Sequence, residues 1–132
     1  MVARSAPRPL RALVVEDEQL LVAMLETVLS RLGVVVERSA ATRSDAMALL
    51  VDEAAFDMAF VDINLDVVGG GIDVAKEAAA RGMYVVIVTG NDRVPDDLAG
   101  QALLLKPFSA DHLEAIVADA RRTLSVSHAV RE

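Results

Sequence analysis

The sequence has no cysteine and no tryptophan, and its aromatic residues are one tyrosine and three phenylalanines. Without thiols there are no disulfides, thiolate metal sites or cysteine nucleophiles, and a reducing cytoplasm is the simple expectation. With so few rings the core has to be built from Val, Leu, Ile, Ala and Met, a composition that suits helices packed on a buried sheet. No apolar run approaches the roughly twenty residues that cross a bilayer, so no membrane insertion is expected. Met1 to Arg11 holds Arg4, Arg8 and Arg11 with Pro7 and Pro9, lacks an apolar run of signal-peptide length, and reads as a loose tail. Positive charge is also short. Thirteen Lys and Arg stand against twenty Asp and Glu, a net charge of -7 that repels nucleic-acid phosphates, and the basic residues do not cluster.

What is present is a repeating unit. The 132 residues are enough for one domain with a three-layer core and too few for two. Leu10 to Val15 is a short apolar run that stops at Glu16, Asp17 and Glu18. From Gln19 to Leu32 the residues Leu20, Leu21, Met24, Leu25, Val28, Leu29 and Leu32 recur at helical spacing, and Gly33 ends the stretch. Val34 to Glu37 is a second strand. Thr42 to Ala54 is a second helix, with Thr42 and Asp45 as a start signal of the capping-box kind. Asp57 to Val61 is a third strand ending at Asp62. Asn64, Asp66 and Gly69, Gly70, Gly71 make a loop, and a short helix runs from about Ile72 to Arg81 before Gly82. Tyr84 to Val88 is a fourth strand ending at Thr89 and Gly90. The polar stretch Asn91 to Gly100 carries Pro95 and leaves room for only a short fourth helix. Ala102 to Leu105 is a fifth strand ending at Lys106 and Pro107, and Ser109 caps a last helix with the face Leu113, Ile116, Val117, Ala120 and Leu124. The division expected is a tail over 1–9, one domain over 10–124 and a frayed end over 125–132.

Strands that are apolar throughout and alternate with helices predict an α/β fold, a doubly wound five-stranded parallel sheet with helices on both faces and a short fourth helix. In such sheets the working site lies outside the carboxyl ends of the strands. There the sequence puts Glu16 with Asp17, Asp62, Thr89 and Lys106. Three converging carboxylates raise one another's pKa unless a cation is present, and an all-oxygen cluster suits a hard ion such as Mg2+. Magnesium leaves one carboxylate free as a nucleophile, for which Asp62 is the central candidate. A hydroxyl at Thr89 and a point charge at Lys106 complete what phosphoryl transfer requires.

The runs LVVEDE, FVDIN, VIVTG and LLLKPF resemble, in order, the signature blocks of response-regulator receiver domains of the CheY-like superfamily, and they span nearly the whole chain. The resemblance implies a flavodoxin-like sheet of strand order 2-1-3-4-5. It implies phosphorylation on Asp62, Mg2+ held by Asp17, Asp62, the backbone carbonyl of Asn64 and, through water, Glu16, a switch hydroxyl at Thr89, and Lys106 paired with a phosphoryl oxygen. The Lys106 to Pro107 peptide resembles one that is cis in the family. A free-standing receiver of this kind is not itself an enzyme. Its donor would be a sensor histidine kinase or a histidine phosphotransfer protein, its output a contact with a downstream protein, its setting cytoplasmic, and its state a monomer or weak homodimer without direct nucleic-acid binding. Asn64 and Asn91 fall at positions that tune phosphate hydrolysis in the family.

Three departures stand out. Leu103 occupies the position of a usual Tyr or Phe, so a relay from Thr89 to an aromatic ring at that position is not expected. Asp66 occupies the position of a usual Pro and is followed by the glycines, so the loop is either more mobile or stiffened differently. Sixteen residues, 90 to 105, separate Thr89 from Lys106, which curtails the fourth helix and shifts output toward other surfaces, such as the first and last helices.

Plainer readings exist for each residue taken singly. Asp62 reads as a turn-capping aspartate, Glu16 and Asp17 as acids before a helix start, Thr89 as a β-branched strand residue and Lys106 as a solvated lysine. The glycines lack the spacing of a nucleotide loop and read as a flexible turn, and His112 and His128 read as surface residues. Two other functions stay open. One is a small Mg2+-dependent phosphatase of haloacid-dehalogenase type, although its nucleophile normally ends the first strand in a D-x-D motif. The other is a receiver-like interaction module that is never phosphorylated.

Overall fold

A computed structural model of the chain describes residues 8–52, 56–90 and 94–131, with side chains described as far as residue 125. The elements run β1 (Leu10–Val15), α1 (Gln19–Arg31), β2 (Val34–Ala40), α2 (Arg43–Asp52), β3 (Met58–Asp62), α3 (Ile72–Ala80), β4 (Tyr84–Thr89), a 3-10 turn (Asp96–Leu98), β5 (Ala102–Leu105) and α4 (Ala110–Arg131). All five strands are parallel in the order β2-β1-β3-β4-β5, so the winding reverses between β1 and β3. The alternation of strands and helices predicts a doubly wound parallel sheet, and the flavodoxin-like strand order is the one that the resemblance implies.

The period of two along each strand divides the core into two layers. On one face Leu13, Val15, Ala59, Val61, Val85 and Ile87 meet α2, α3 and the 3-10 turn through Leu50, Val74, Ala78 and Leu98. On the other, Ala12, Val14, Met58, Phe60, Val86 and Val88 meet α1 and α4 through Val22, Leu25, Leu29, Leu113, Ile116, Val117 and Ala120. The strands β1, β3 and β4 are buried almost throughout because both of their faces are covered.

Several local expectations need correction. Not every strand is apolar throughout: β2 lies at the sheet edge, extends to Ala40 and exposes Val35, Glu37, Arg38 and Ser39. Leu20 and Met24 are exposed rather than sheet-facing, because the buried stripe of α1 is rotated to Leu21, Val22, Leu25 and Leu29. The last helix continues to Arg131, beyond the expected end at Leu124. The expected end of α2 at Ala54 lies outside the described residues. The fourth helix is short, as expected: it is the 3-10 turn, whose Leu98 is buried in the layer with α2 and α3.

The expected caps form. Thr42 Oγ1 accepts the Asp45 N–H at 3.1 Å, and Ser109 Oγ accepts the His112 N–H at 3.1 Å. Gly33 ends α1 at φ +81°, a conformation that glycine adopts without steric cost. Beside it the Arg121 guanidinium donates to the carbonyls of Leu32 and Gly33, both at 3.2 Å, and so closes the C-terminus of α1 from α4. No helix among the described residues is long and apolar enough to cross a membrane.

Candidate functional site

The carboxyl ends of β1, β3, β4 and β5 carry the polar residues that the sequence singles out. Glu16 and Asp17 follow β1, Asp62 ends β3, Thr89 ends β4 and Lys106 follows β5. The register fixes their levels: Asp62 lies beside Val88, and Thr89 lies beside Leu105. The Lys106 N–H donates to the Thr89 carbonyl at 2.8 Å, which holds the start of the β5 loop against the end of β4. The Lys106 to Pro107 peptide is cis.

Side chains converge there. Lys106 Nζ donates to Asp62 Oδ2 at 3.2 Å and lies 3.2 Å from Glu16 Oε1. Among the described residues Glu16, Asp62 and Thr89 are the buried polar ones, at 2%, 6% and 1% exposure, whereas Asp17 is exposed. One carboxylate oxygen from each of Glu16, Asp17 and Asp62 lies within 4.8 Å of the other two. Asp62 Oδ1 accepts the Asn64 N–H at 2.9 Å, and Glu16 Oε2 accepts the Glu18 N–H at 3.1 Å. Both buried carboxylates are therefore oriented by the backbone two residues on.

Burial, with the charge of Asp62 added to it, raises the Glu16 pKa against the opposing pull of the Glu18 N–H and Lys106. Burial works against the Lys106 ammonium, but the Asp62 and Glu16 carboxylates outweigh it and raise its pKa. Lys106 is thus a held charge, not a solvated one.

One atom bears on a metal. Glu16 Oε1 is buried without a hydrogen-bond partner, since the nearby ammonium makes a charge contact with it but no aligned hydrogen bond. An orphaned carboxylate oxygen, two further carboxylates within 4.8 Å and an all-oxygen donor set fit a hard divalent cation.

Of the two expectations for the loop from Asn64 to Gly71, greater mobility or a different stiffening, its hydrogen bonds agree with the second. Two of its three glycines are places of close backbone approach. A Cβ on Gly71 would overlap the Asp62 carbonyl oxygen, and one on Gly70 would overlap the Leu65 carbonyl oxygen. The loop is closed by hydrogen bonds from Gly71 N–H to the Ile63 carbonyl, Gly70 N–H to the Val67 carbonyl and Gly69 N–H to Asn64 Oδ1, at 2.9, 2.9 and 3.0 Å. Leu65 is buried beneath it. The signal that could have been read is the glycine run itself, since adjacent glycines mark close backbone approach as readily as freedom. Asp66, expected only as a loop residue in the place of a proline, has its carboxylate at the start of α2, 23 residues away in sequence. Elsewhere, His112 is exposed, and Asn91 and the His128 side chain lie outside the described residues.

The model of the response regulator receiver domain matches residues 12–118. Among solved structures, the chain is similar to SdrG from Sphingomonas melonis, with 31% identity and a TM-score of 0.76 over 87% of this chain and 98% of that one. It is similar to the signal receiver domain of a modulated diguanylate cyclase from Desulfovibrio desulfuricans, with 26% identity and a TM-score of 0.75 over 89% and 97%. It is similar as well to the receiver domain of the PhyR response regulator from Erythrobacter litoralis, with 25% identity and a TM-score of 0.71 over 84% and 88%. No curated protein sequence matches the chain at a significant level.

Proposed function

The chain belongs to the response regulator receiver domain family, and on that premise we propose that it is a phosphoacceptor of a two-component or phosphorelay pathway, taking a phosphoryl group on Asp62 with Mg2+ and signalling to a protein partner by a change of shape. The observation that carries this reading is the position of Asp62, buried at the sheet rim with one carboxylate oxygen on Lys106 Nζ and the other on the Asn64 N–H.

In the proposed step, an Asp62 carboxylate oxygen attacks the phosphorus of a phosphohistidine on a sensor histidine kinase or a histidine phosphotransfer protein. The O–P bond forms as the P–N bond breaks, and the histidine nitrogen keeps the electron pair of the broken bond. Glu16, Asp17, Asp62 and the backbone carbonyl of Asn64 would hold Mg2+, which when bound offsets the negative charge of the carboxylates and the phosphoryl oxygens. Lys106 pairs with one phosphoryl oxygen and the Thr89 hydroxyl with another. Leu103 is half-buried against the layer formed by α2 and α3, and as an aliphatic residue it cannot supply the ring rotation of an aromatic switch. Output therefore runs through other parts of the surface that follow Thr89 and Lys106. The chain acts as an acceptor and relay in the cytoplasm, as a monomer or weak homodimer, and does not turn over phosphate esters.

The test is a phosphate-affinity gel of wild type and Asp62→Asn after incubation with acetyl phosphate and Mg2+. A retarded band in wild type alone is the expected result. Equal mobility of the two proteins would remove the reading, and sustained hydrolysis of a generic phosphate ester would favour a phosphatase in its place.

A further inference from the structure

The loop after β3 carries a tie that the phosphoacceptor reading does not use. Asp66 is the non-glycine residue with positive φ among the described residues, at 65°. Aspartate visits this region more readily than most side chains do, and proline, fixed near φ of about −65°, cannot enter it. The stiffness that a proline would supply at this position is thus excluded by the backbone path that the loop takes.

Another tie replaces it. Asp66 Oδ2 accepts the backbone N–H of Arg43, the first residue of α2, at 3.2 Å, and so takes up one of the donors that a helix start leaves without an internal partner. The Arg43 guanidinium donates to Asp73 Oδ2 in the first turn of α3 at 3.1 Å. At its other end the loop is bound to the site, since the Asn64 N–H donates to Asp62 Oδ1 and Asn64 Oδ1 accepts from the Gly69 N–H. Beyond Asp66, where the loop returns to the end of β3, Gly70 and Gly71 leave no room for a Cβ. The segment that carries Asn64 is therefore anchored to Asp62 on one side and to α2 on the other.

We propose that Asp66 is a positioning residue for phosphoryl transfer: by holding the loop to the start of α2 it sets the orientation of the Asn64 backbone and the Asp62 carboxylate toward the divalent cation. This inference rests on the phosphoacceptor reading. Asp66 itself touches neither the metal nor the phosphoryl group. It stands one step further out than the hydrogen-bond partners of metal ligands, whose loss weakens metal affinity by about 10- to 100-fold, so the lower end of that range applies.

The test measures the initial rate of labelling by acetyl phosphate against Mg2+ concentration in wild type, Asp66→Ala, Asp66→Asn, Arg43→Ala and Arg43→Pro, with the thermal midpoint of each. Asp66→Ala is expected to raise the half-saturating Mg2+ concentration by about tenfold while leaving the rate at saturating Mg2+ within about twofold. Asp66→Asn keeps an acceptor oxygen and tolerates the same φ, and should rescue most of the loss. Arg43→Pro deletes the donated N–H without touching Asp66, at the first helical position where proline is tolerated, and should reproduce Asp66→Ala. Arg43→Ala keeps that N–H and should behave as wild type. Wild-type Mg2+ dependence in both Asp66→Ala and Arg43→Pro would overturn the proposal, as would a lowered thermal midpoint with no change in that dependence. Failure of wild type to label at all would instead remove the phosphoacceptor reading, and this one with it.

Discussion

Gly71 packs its Cα against the backbone carbonyl of Asp62 so closely that a Cβ there would overlap the oxygen and come within 2.9 Å of the carbonyl carbon. Gly71 has an ordinary φ of −91°, so the constraint comes from contact and not from backbone strain. The first turn of α3 is thereby wedged against the residue that the proposed chemistry uses.

Gly71→Ala should accordingly destabilise the protein by about 1–3 kcal/mol, the usual range for overpacking, and slow labelling at Asp62 because the neighbouring backbone has to shift. Gly90→Ala is the control, since a Cβ there would meet nothing within 4 Å; its stability should change by no more than about 0.5 kcal/mol. Urea midpoints of the two variants measure the difference, and equal midpoints would contradict it.

Lys106 compensates two buried carboxylates at once. Lys106→Met should lower the stability of the metal-free protein by about 1–2 kcal/mol, less than for a fully buried pair because part of the lysine side chain is exposed. Adding Mg2+ should narrow the gap, because a second cation then offsets Glu16 and Asp62. A gap that Mg2+ leaves unchanged would show that the lysine is not compensating those acids.

Tyr84 OH donates to Asp119 Oδ2 at 2.6 Å, at the start of β4 and far along the sheet from the acidic rim. Burial above all, then the bond to Asp119 and its charge, raises the phenol pKa well beyond its ordinary value. A folded pKa above the unfolded one means that the contribution is whole below about pH 10 and is lost as pH climbs from there toward the folded value. Wild type should therefore be more stable than Tyr84→Phe at neutral pH, with the advantage fading in alkali. Because the protein has a single tyrosine and no tryptophan, phenolate absorbance reports this residue alone. A phenol that titrates at its ordinary value would refute the assignment.

Arg121 joins α4 to the end of α1 and, more weakly, donates to the Arg8 carbonyl at 3.4 Å. Arg121→Met should cost about 1.5–3 kcal/mol, the sum expected from two lost carbonyl hydrogen bonds and a lost cation at a helix C-terminus. Hydrogen exchange should quicken first at the end of α1 and in β1. Uniform quickening across the sheet would argue against a local tie.

How much of this was legible beforehand differs from residue to residue. Glu16, Asp17, Asp62, Thr89 and Lys106 could be placed together because each directly follows or ends an apolar run, and a parallel sheet gathers all such ends at one rim. Ser109 and Thr42 could be read as caps because their partners lie three residues on. Leu20 and Met24 were misplaced because two stripes at helical spacing run along α1, and only the angle at which α1 meets the sheet selects between them. The role of Arg121 and the tie from Asp66 to α2 were invisible, since each depends on a backbone group brought close by the fold and not on a pattern in the chain.

The amino-acid order by itself determined the alternation of strand and helix, the two-sided burial of the central strands and the end of the sheet at which the acids and the lysine emerge, because these follow from periodicities of two and of about 3.6 residues that act locally. Tertiary structure alone decided that Glu16 Oε1 is buried with an ammonium beside it but no aligned hydrogen bond, that Gly70 and Gly71 are a tight fit, and that a carboxylate holds the loop to α2. Those outcomes rest on distances of a few ångströms between segments remote in sequence, which are set only when the layers have packed.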